Sequence, residues 1–157
     1  FTYLADSAAT IEIACGDARN LMERELAAGK PGRFDVLAID AFNGDAIPMH
    51  LLTRECFAVY RKHLAEDGLL ALHISNDVLD LTPVVRGLAA EAGYEVLVIN
   101  SPGDPKQGLN VSNWLIVTRN REFLEHPQVR RAEVRESSPQ ASLIWTDDFG
   151  SLRQVMR

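Results

Sequence analysis

The sequence predicts an α/β fold built on a mainly parallel sheet, and three observations predict it. Apolar runs of strand length recur along the chain. Between them lie stretches whose apolar residues fall at helical spacing, with Gly, Pro and Asp at the boundaries. The chain has 157 residues, of which 46% are hydrophobic, enough for one domain with a single core. Strands that alternate with helices need crossover connections, and these lay the strands parallel. Ordinary Gly and Pro contents, 10 and 7 residues, argue against a disordered or collagen-like chain. A net charge of −6 argues against a basic nucleic-acid-binding surface, so no nucleic-acid partner is expected.

Residues 10–15 alternate and begin β-branched, which predicts a first strand broken by Gly16 and Asp17. Asp17 can cap a helix over residues 18–28, with Leu21, Met22 and Leu26 as its apolar stripe. Gly29, Pro31 and Gly32 stop that helix before Phe34–Ile39, a mostly apolar run that reads as a buried strand. Residues 40–49 form a loop. Thr53 then caps a helix carrying Cys56, Phe57, Tyr60 and Leu64 on one face and ending at Asp67 and Gly68. The third strand is residues 69–74. A helix over 80–92 turns Val84, Val85, Leu88 and Ala89 inward and stops at Gly93, leading to a fourth strand, 94–99. The last strand, 113–118, is expected to pair antiparallel with it. Residues 121–131 read as partly helical, 137–139 as a polar stretch, and the chain after Asp147 as a short helix with Phe149, Leu152 and Val155 inward.

Cys15 and Cys56 show no C-x-x-C spacing, which suits two reduced core thiols better than a disulfide or a zinc site. The longest stretch without Asp, Glu, Lys or Arg, residues 107–118, falls short of the roughly 20 apolar residues of a membrane span. The opening residues, Phe1 to Asp6, have neither a basic leader nor an apolar signal core, so a cytoplasmic piece of a longer chain is expected.

In a parallel sheet, ligands collect outside the carboxyl ends of the strands. Asp17 ends the first predicted strand, Asp40 the second, His73, Ser75 and Asn76 the third, and Asn100 and Ser101 the fourth. All are therefore expected on one edge. The most informative stretch is DAFNGDAIP, residues 40–48, in which Asp40 leaves an apolar strand and Asp45 follows in a Gly-containing loop. Two carboxylates there can face one cation and accept a proton from an amine; an Asx-turn at Asp40 with a solvated Asp45 is the alternative reading. Asp17 can both cap its helix and bind a ligand. His73 reads as a strand-end histidine rather than a metal ligand, since His50, His63 and His126 show no ligand spacing with it. Ser75 and Asn76 can simply turn the chain. Trp145 to Asp148 reads as a helix start with Trp145 docking the tail on the core, or else as part of the site. No GxSxG elbow and no Gly-Lys-Ser/Thr phosphate loop occurs.

Four motifs in order, GDA (16–18), DAFNGDAIPMHLLT (40–53), HISN (73–76) and WTDDF (145–149), resemble the spermidine synthase-like (polyamine aminopropyltransferase) family, nearest to the soluble domain of bacterial members, some of them fused to membrane segments. The resemblance covers nearly the whole chain. It implies the Rossmann-like fold of AdoMet-dependent methyltransferases, mostly parallel with an antiparallel C-terminal strand. It also implies that Asp17, with Ala18, holds the adenine end of the cosubstrate, that Asp40 helps deprotonate the attacking amine, and that Asp45 holds or polarises the polyamine, with His73, Ser75 and Asn76 at the substrate. The implied cosubstrate is decarboxylated AdoMet, the acceptor a polyamine such as putrescine, and no prosthetic group or metal is needed.

The chain departs from that family in two respects. Its two acids are spaced more widely, and the family's opening glycine-rich nucleotide loop, with the ribose-binding acid after it, is missing: no two glycines stand two positions apart. A fold truncated at its N-terminus is therefore expected, inactive by itself. Its first strand should close up beside Phe34–Ile39 or pair with another chain, as in a homodimer, because an isolated strand leaves backbone groups unsatisfied. Methyl transfer from intact AdoMet and a noncatalytic binding or assembly module are the alternative functions.

Overall fold

The computed structural model describes residues 2–41, 48–76, 78–134 and 142–157. Its elements are α1 (Tyr3–Asp6), α2 (Ala18–Ala27), β1 (Phe34–Ile39), α3 (Arg54–His63), β2 (Leu64–His73), α4 (Thr82–Ala92), β3 (Glu95–Ser101), β4 (Ser112–Thr118), α5 (Arg121–Glu125) and α6 (Pro127–Ala132). The strands form one sheet in the order β1-β2-β4-β3. β1 and β2 are parallel, and β4 runs antiparallel to both of its neighbours, so β1, β2 and β3 share one direction. The antiparallel pairing of the last strand with β3 is as predicted. Its insertion between β2 and β3 was not legible, since it depends on pairing across the chain rather than on local pattern.

Local chemistry sets the helix ends. Asp17 caps α2 by accepting the Asn20 amide at 2.9 Å, and Thr53 caps α3 through the Cys56 amide at 3.3 Å. α4 ends at Gly93, whose φ of 73° is the left-handed conformation that glycine adopts without strain. Side chains on one face of the sheet then meet across strands: Leu70 lies opposite Val117, Leu72 opposite Leu115, and Val98 opposite Leu115. These residues join Val84, Val85 and Leu88 of α4 and Cys56, Phe57 and Tyr60 of α3 in the core. Trp145, fully buried, closes that core from the C-terminal segment, as its docking role requires.

Several expectations fail, each for a physical reason. Residues 10–15 form no strand; they have no ladder partner among the described residues, and Ile11 and Ile13 are exposed. Alternation and β-branching supply a strand's faces but not its pairing: the outer edge of β1 stays unpaired among the described residues, while α2 at the end of this segment packs onto α3. Cys15 is accordingly exposed rather than a core thiol, whereas Cys56 is buried. β1 is not a buried strand: it sits at the sheet edge, with Val36 58% exposed and only Ile39 buried. α3 ends at His63, before the predicted stop, because Leu64 already pairs with Phe34 and the ladder resumes at Val36 and Leu69 across an irregularity. Gly68 lies within that irregularity, where a side chain would press on the Phe34 carbonyl oxygen. The C-terminal helix is a single 3₁₀ turn, Leu152–Val155, in which only Val155 is buried; Phe149 and Leu152 face out. Asp45 and the polar stretch at 137–139 lie outside the described residues. No helix among the described residues is long and apolar enough to cross a membrane.

Candidate active site

Parallel pairing of Ile39 with Leu72 brings the next residues, Asp40 and His73, side by side at the carboxyl ends of β1 and β2. The Asp40 Oδ1 and His73 Nδ1 atoms are 2.6 Å apart. On the other side of the ring, His73 Nε2 lies 2.7 Å from Ser75 Oγ. Ser75 Oγ accepts the Asn113 backbone N–H at 2.8 Å, and Ser112 Oγ accepts the Trp114 indole N–H at 2.8 Å while lying 3.4 Å from His73 Nε2. The His73 ring stacks on Trp114, with centroids 4.7 Å apart and planes inclined by 19°. Register in the neighbouring ladder puts Asn100 beside Asn113 and Ser101 beside Ser112. The sheet edge anticipated from the sequence is therefore real for Asp40, His73, Ser75, Asn100 and Ser101.

Asp40 stands out chemically because it is half open. His73 engages one carboxylate oxygen, while Oδ2 has no partner among the described residues and the side chain is 62% exposed. Asn76 is occupied differently: its side-chain oxygen accepts the Val78 and Leu79 amides at 2.9 and 2.8 Å, a turn of the kind the sequence allowed.

Asp17 belongs to a second network that shares no residue with the first among the described residues. Its Oδ2 lies 2.8 Å from His50 Nε2, while Oδ1 takes the Asn20 amide. Those two contacts, the amide first, hold the Asp17 carboxyl below its ordinary range. Ala18 opens α2 beside it. Two residues on, Arg19 grips Asp147 with both outer guanidinium nitrogens, at 2.7 and 2.6 Å, and donates from Nε to Glu23 at 2.8 Å. Thr53 donates to the same Asp147 carboxylate at 2.8 Å, and the Asp147 amide donates to Glu55 at 2.9 Å. The Arg19 fork pulls the Asp147 carboxyl down to about 2. Arg19, Met49, His50, Thr53, Trp145 and Asp147 line a cavity of about 360 Å³.

Sequence reasoning missed Arg19, and considered His50 only as a possible metal ligand, because their partners are distant in the chain. The WTDDF motif did carry a signal: Trp145 enters the core, as the docking reading expects, and Asp147 pairs with Arg19.

No protein-family model matches the chain. Over 56 residues it is 43% identical to a polyamine aminopropyltransferase of Vibrio vulnificus, a match covering 35% of the chain and 18% of that protein. Over 62 residues it is 32% identical to an N-terminal histidine N-methyltransferase of Emericella nidulans, covering 40% of the chain and 11% of that protein. Among solved structures, that of a probable spermidine synthase from Corynebacterium glutamicum superposes with a TM-score of 0.50 at 20% identity, covering 85% of the chain and 56% of the neighbour. The chain thus spans about half the length of this structural neighbour and less than a fifth of each sequence relative. Its fold is the spermidine synthase-like, methyltransferase-type α/β fold.

Proposed function

We propose that the chain carries the amine-activating side of a spermidine synthase-like transferase, which moves an aminopropyl group from decarboxylated AdoMet to an amine such as putrescine. The observation that carries this reading is Asp40, held at the carboxyl end of β1 by His73, with a side chain 62% exposed and no partner for its second oxygen among the described residues. Such a carboxylate attracts a cationic amine and accepts the proton that the amine must lose before it can attack. The neutral nitrogen then attacks the methylene carbon attached to the sulfonium. The C–S bond breaks with its electron pair passing to sulfur, and methylthioadenosine leaves as the new secondary ammonium forms. Orientation of the two reactants, and a negative group opposite two positive ones, supply the catalysis.

Asp17 fits the adenine end. Oδ1 accepts the Asn20 amide and Oδ2 meets His50, and a carboxylate has acceptor capacity beyond these for an exocyclic amino group; Ala18 opens the helix beside it. Asp45 is assigned to the polyamine by resemblance alone. Because the 157 residues contain no glycine-rich nucleotide loop, the chain by itself should turn over little or nothing.

Methyl transfer from intact AdoMet is the second reading, favoured by the partial likeness to the Emericella methyltransferase. Product mass separates the two. The full-length protein incubated with putrescine should form an aminopropylated amine from decarboxylated AdoMet and no such product from intact AdoMet; a methylated amine would support the second reading, and no product with either sulfonium compound would reject both.

A further inference from the structure

We infer that His73 is a positioning residue, which acts through Asp40 rather than by touching substrate, and that Ser75 and Trp114 fix its proton and its plane. The assignment rests on the proposed amine activation for its kinetic consequence, but not for its structural one.

The reasoning starts from hydrogen-bond polarity. An ionised carboxylate only accepts, so the 2.6 Å contact between Asp40 Oδ1 and His73 Nδ1 requires a proton on Nδ1. In the neutral ring Nε2 must then accept, and the Ser75 hydroxyl 2.7 Å away is placed to donate to it. Ser75 can do so because its oxygen is already oriented by the Asn113 backbone N–H at 2.8 Å. Ser112, which accepts the Trp114 indole proton, stands at 3.4 Å from the same nitrogen as a weaker second neighbour. Both ring nitrogens are thus committed to the protein, and one ring face is covered by Trp114. Little of His73 remains to bind a substrate. Among the described residues the arrangement leaves Asp40 Oδ2 without a partner, and His73 decides where that oxygen points.

The chain Asp40–His73–Ser75 has the polarity of a serine-nucleophile triad, but Ser75 is a half-buried residue whose oxygen already holds the Asn113 amide. Its use here is to set the tautomer of the ring.

The test uses the full-length protein labelled with ¹⁵N at histidine. Two-bond proton–nitrogen correlations of the neutral His73 ring should show the proton on Nδ1, and Asp40→Asn should shift the ring toward the Nε2–H form. A wild-type ring carrying its proton on Nε2 overturns the inference, whether or not the protein turns over putrescine. Kinetically, His73→Phe keeps a flat ring against Trp114 but removes the donor, so kcat should fall about 10²-fold, as misplacing a reacting group does, with KM for putrescine little changed. His73→Asn restores an N–H near the place of Nδ1 and should recover most of kcat. A raised KM with unchanged kcat in His73→Phe would overturn positioning in favour of substrate contact. Labelling of Ser75 by a fluorophosphonate that depends on His73 would overturn it in favour of a nucleophile; no labelling is expected. If the wild-type protein makes no aminopropylated product while its ring shows the Nδ1 proton, the functional proposal fails and the structural assignment stands.

Discussion

Arg19 and Asp147, 128 positions apart, are joined by two parallel charge-assisted hydrogen bonds of 2.7 and 2.6 Å. The pair fastens the C-terminal segment onto α2, and Thr53 at the head of α3 donates to the same carboxylate. The folded-state Asp147 carboxyl is at about 2, below its ordinary 3.8. Its stabilising contribution is therefore fully present above about 3.8 and is lost as pH falls toward 2. The magnitude is modest, because the side chain is 41% exposed and water screens the pair. Asp147→Asn should cost about 1 kcal/mol at pH 7, and the deficit relative to wild type should shrink as pH falls below about 3.8 and vanish only below about 2. Urea unfolding across that range checks both points.

Gly87 lies on the face of α4 that the C-terminal segment crosses. A Cβ there would overlap the Leu143 carbonyl oxygen, while Leu143 N–H donates to the Pro83 carbonyl at 3.0 Å. Gly87→Ala should therefore destabilise the fold by about 1–3 kcal/mol through overpacking, despite alanine's better helix propensity. Trp145→Ala, which empties a fully buried site nearby in the same segment, should cost about 3–5 kcal/mol. Thermal unfolding of both variants measures the order.

The two thiols should differ in reactivity. Burial pushes the Cys56 thiol up to about 11, leaving almost no thiolate at neutral pH, whereas Cys15 is exposed. Iodoacetamide at pH 7.5 should modify Cys15 quickly and Cys56 only when the protein unfolds, as peptide mass mapping will show.

Features of the fold carried by neighbours in the chain were legible in the sequence. Asp17, Thr53 and Gly93 mark helix ends because a cap contacts residues only a few positions away. Val84, Val85, Leu88 and Ala89 were identified as core by their helical spacing. Pairing was harder. Residues 10–15 look like a strand, and only the absence of a ladder partner among the described residues tells otherwise, while Phe34–Ile39 looks buried until its place at the sheet edge is known. The same division runs through the site. Asp40 and His73 could be placed on one edge by the rule for parallel strands, but the Ser75 and Trp114 contacts that orient the ring depend on β4 entering beside β2. Arg19 with Asp147 and His50 with Asp17 are pairings no local pattern announces.

The most direct test of the central claim is the rate of aminopropyl transfer to putrescine by the full-length protein and by its Asp40→Asn variant, read by mass of the product. Loss of the proton-accepting carboxylate should lower kcat/KM by about 10²- to 10⁴-fold, with the fold preserved by circular dichroism. A variant that transfers the group as fast as wild type would show that Asp40 does not activate the amine.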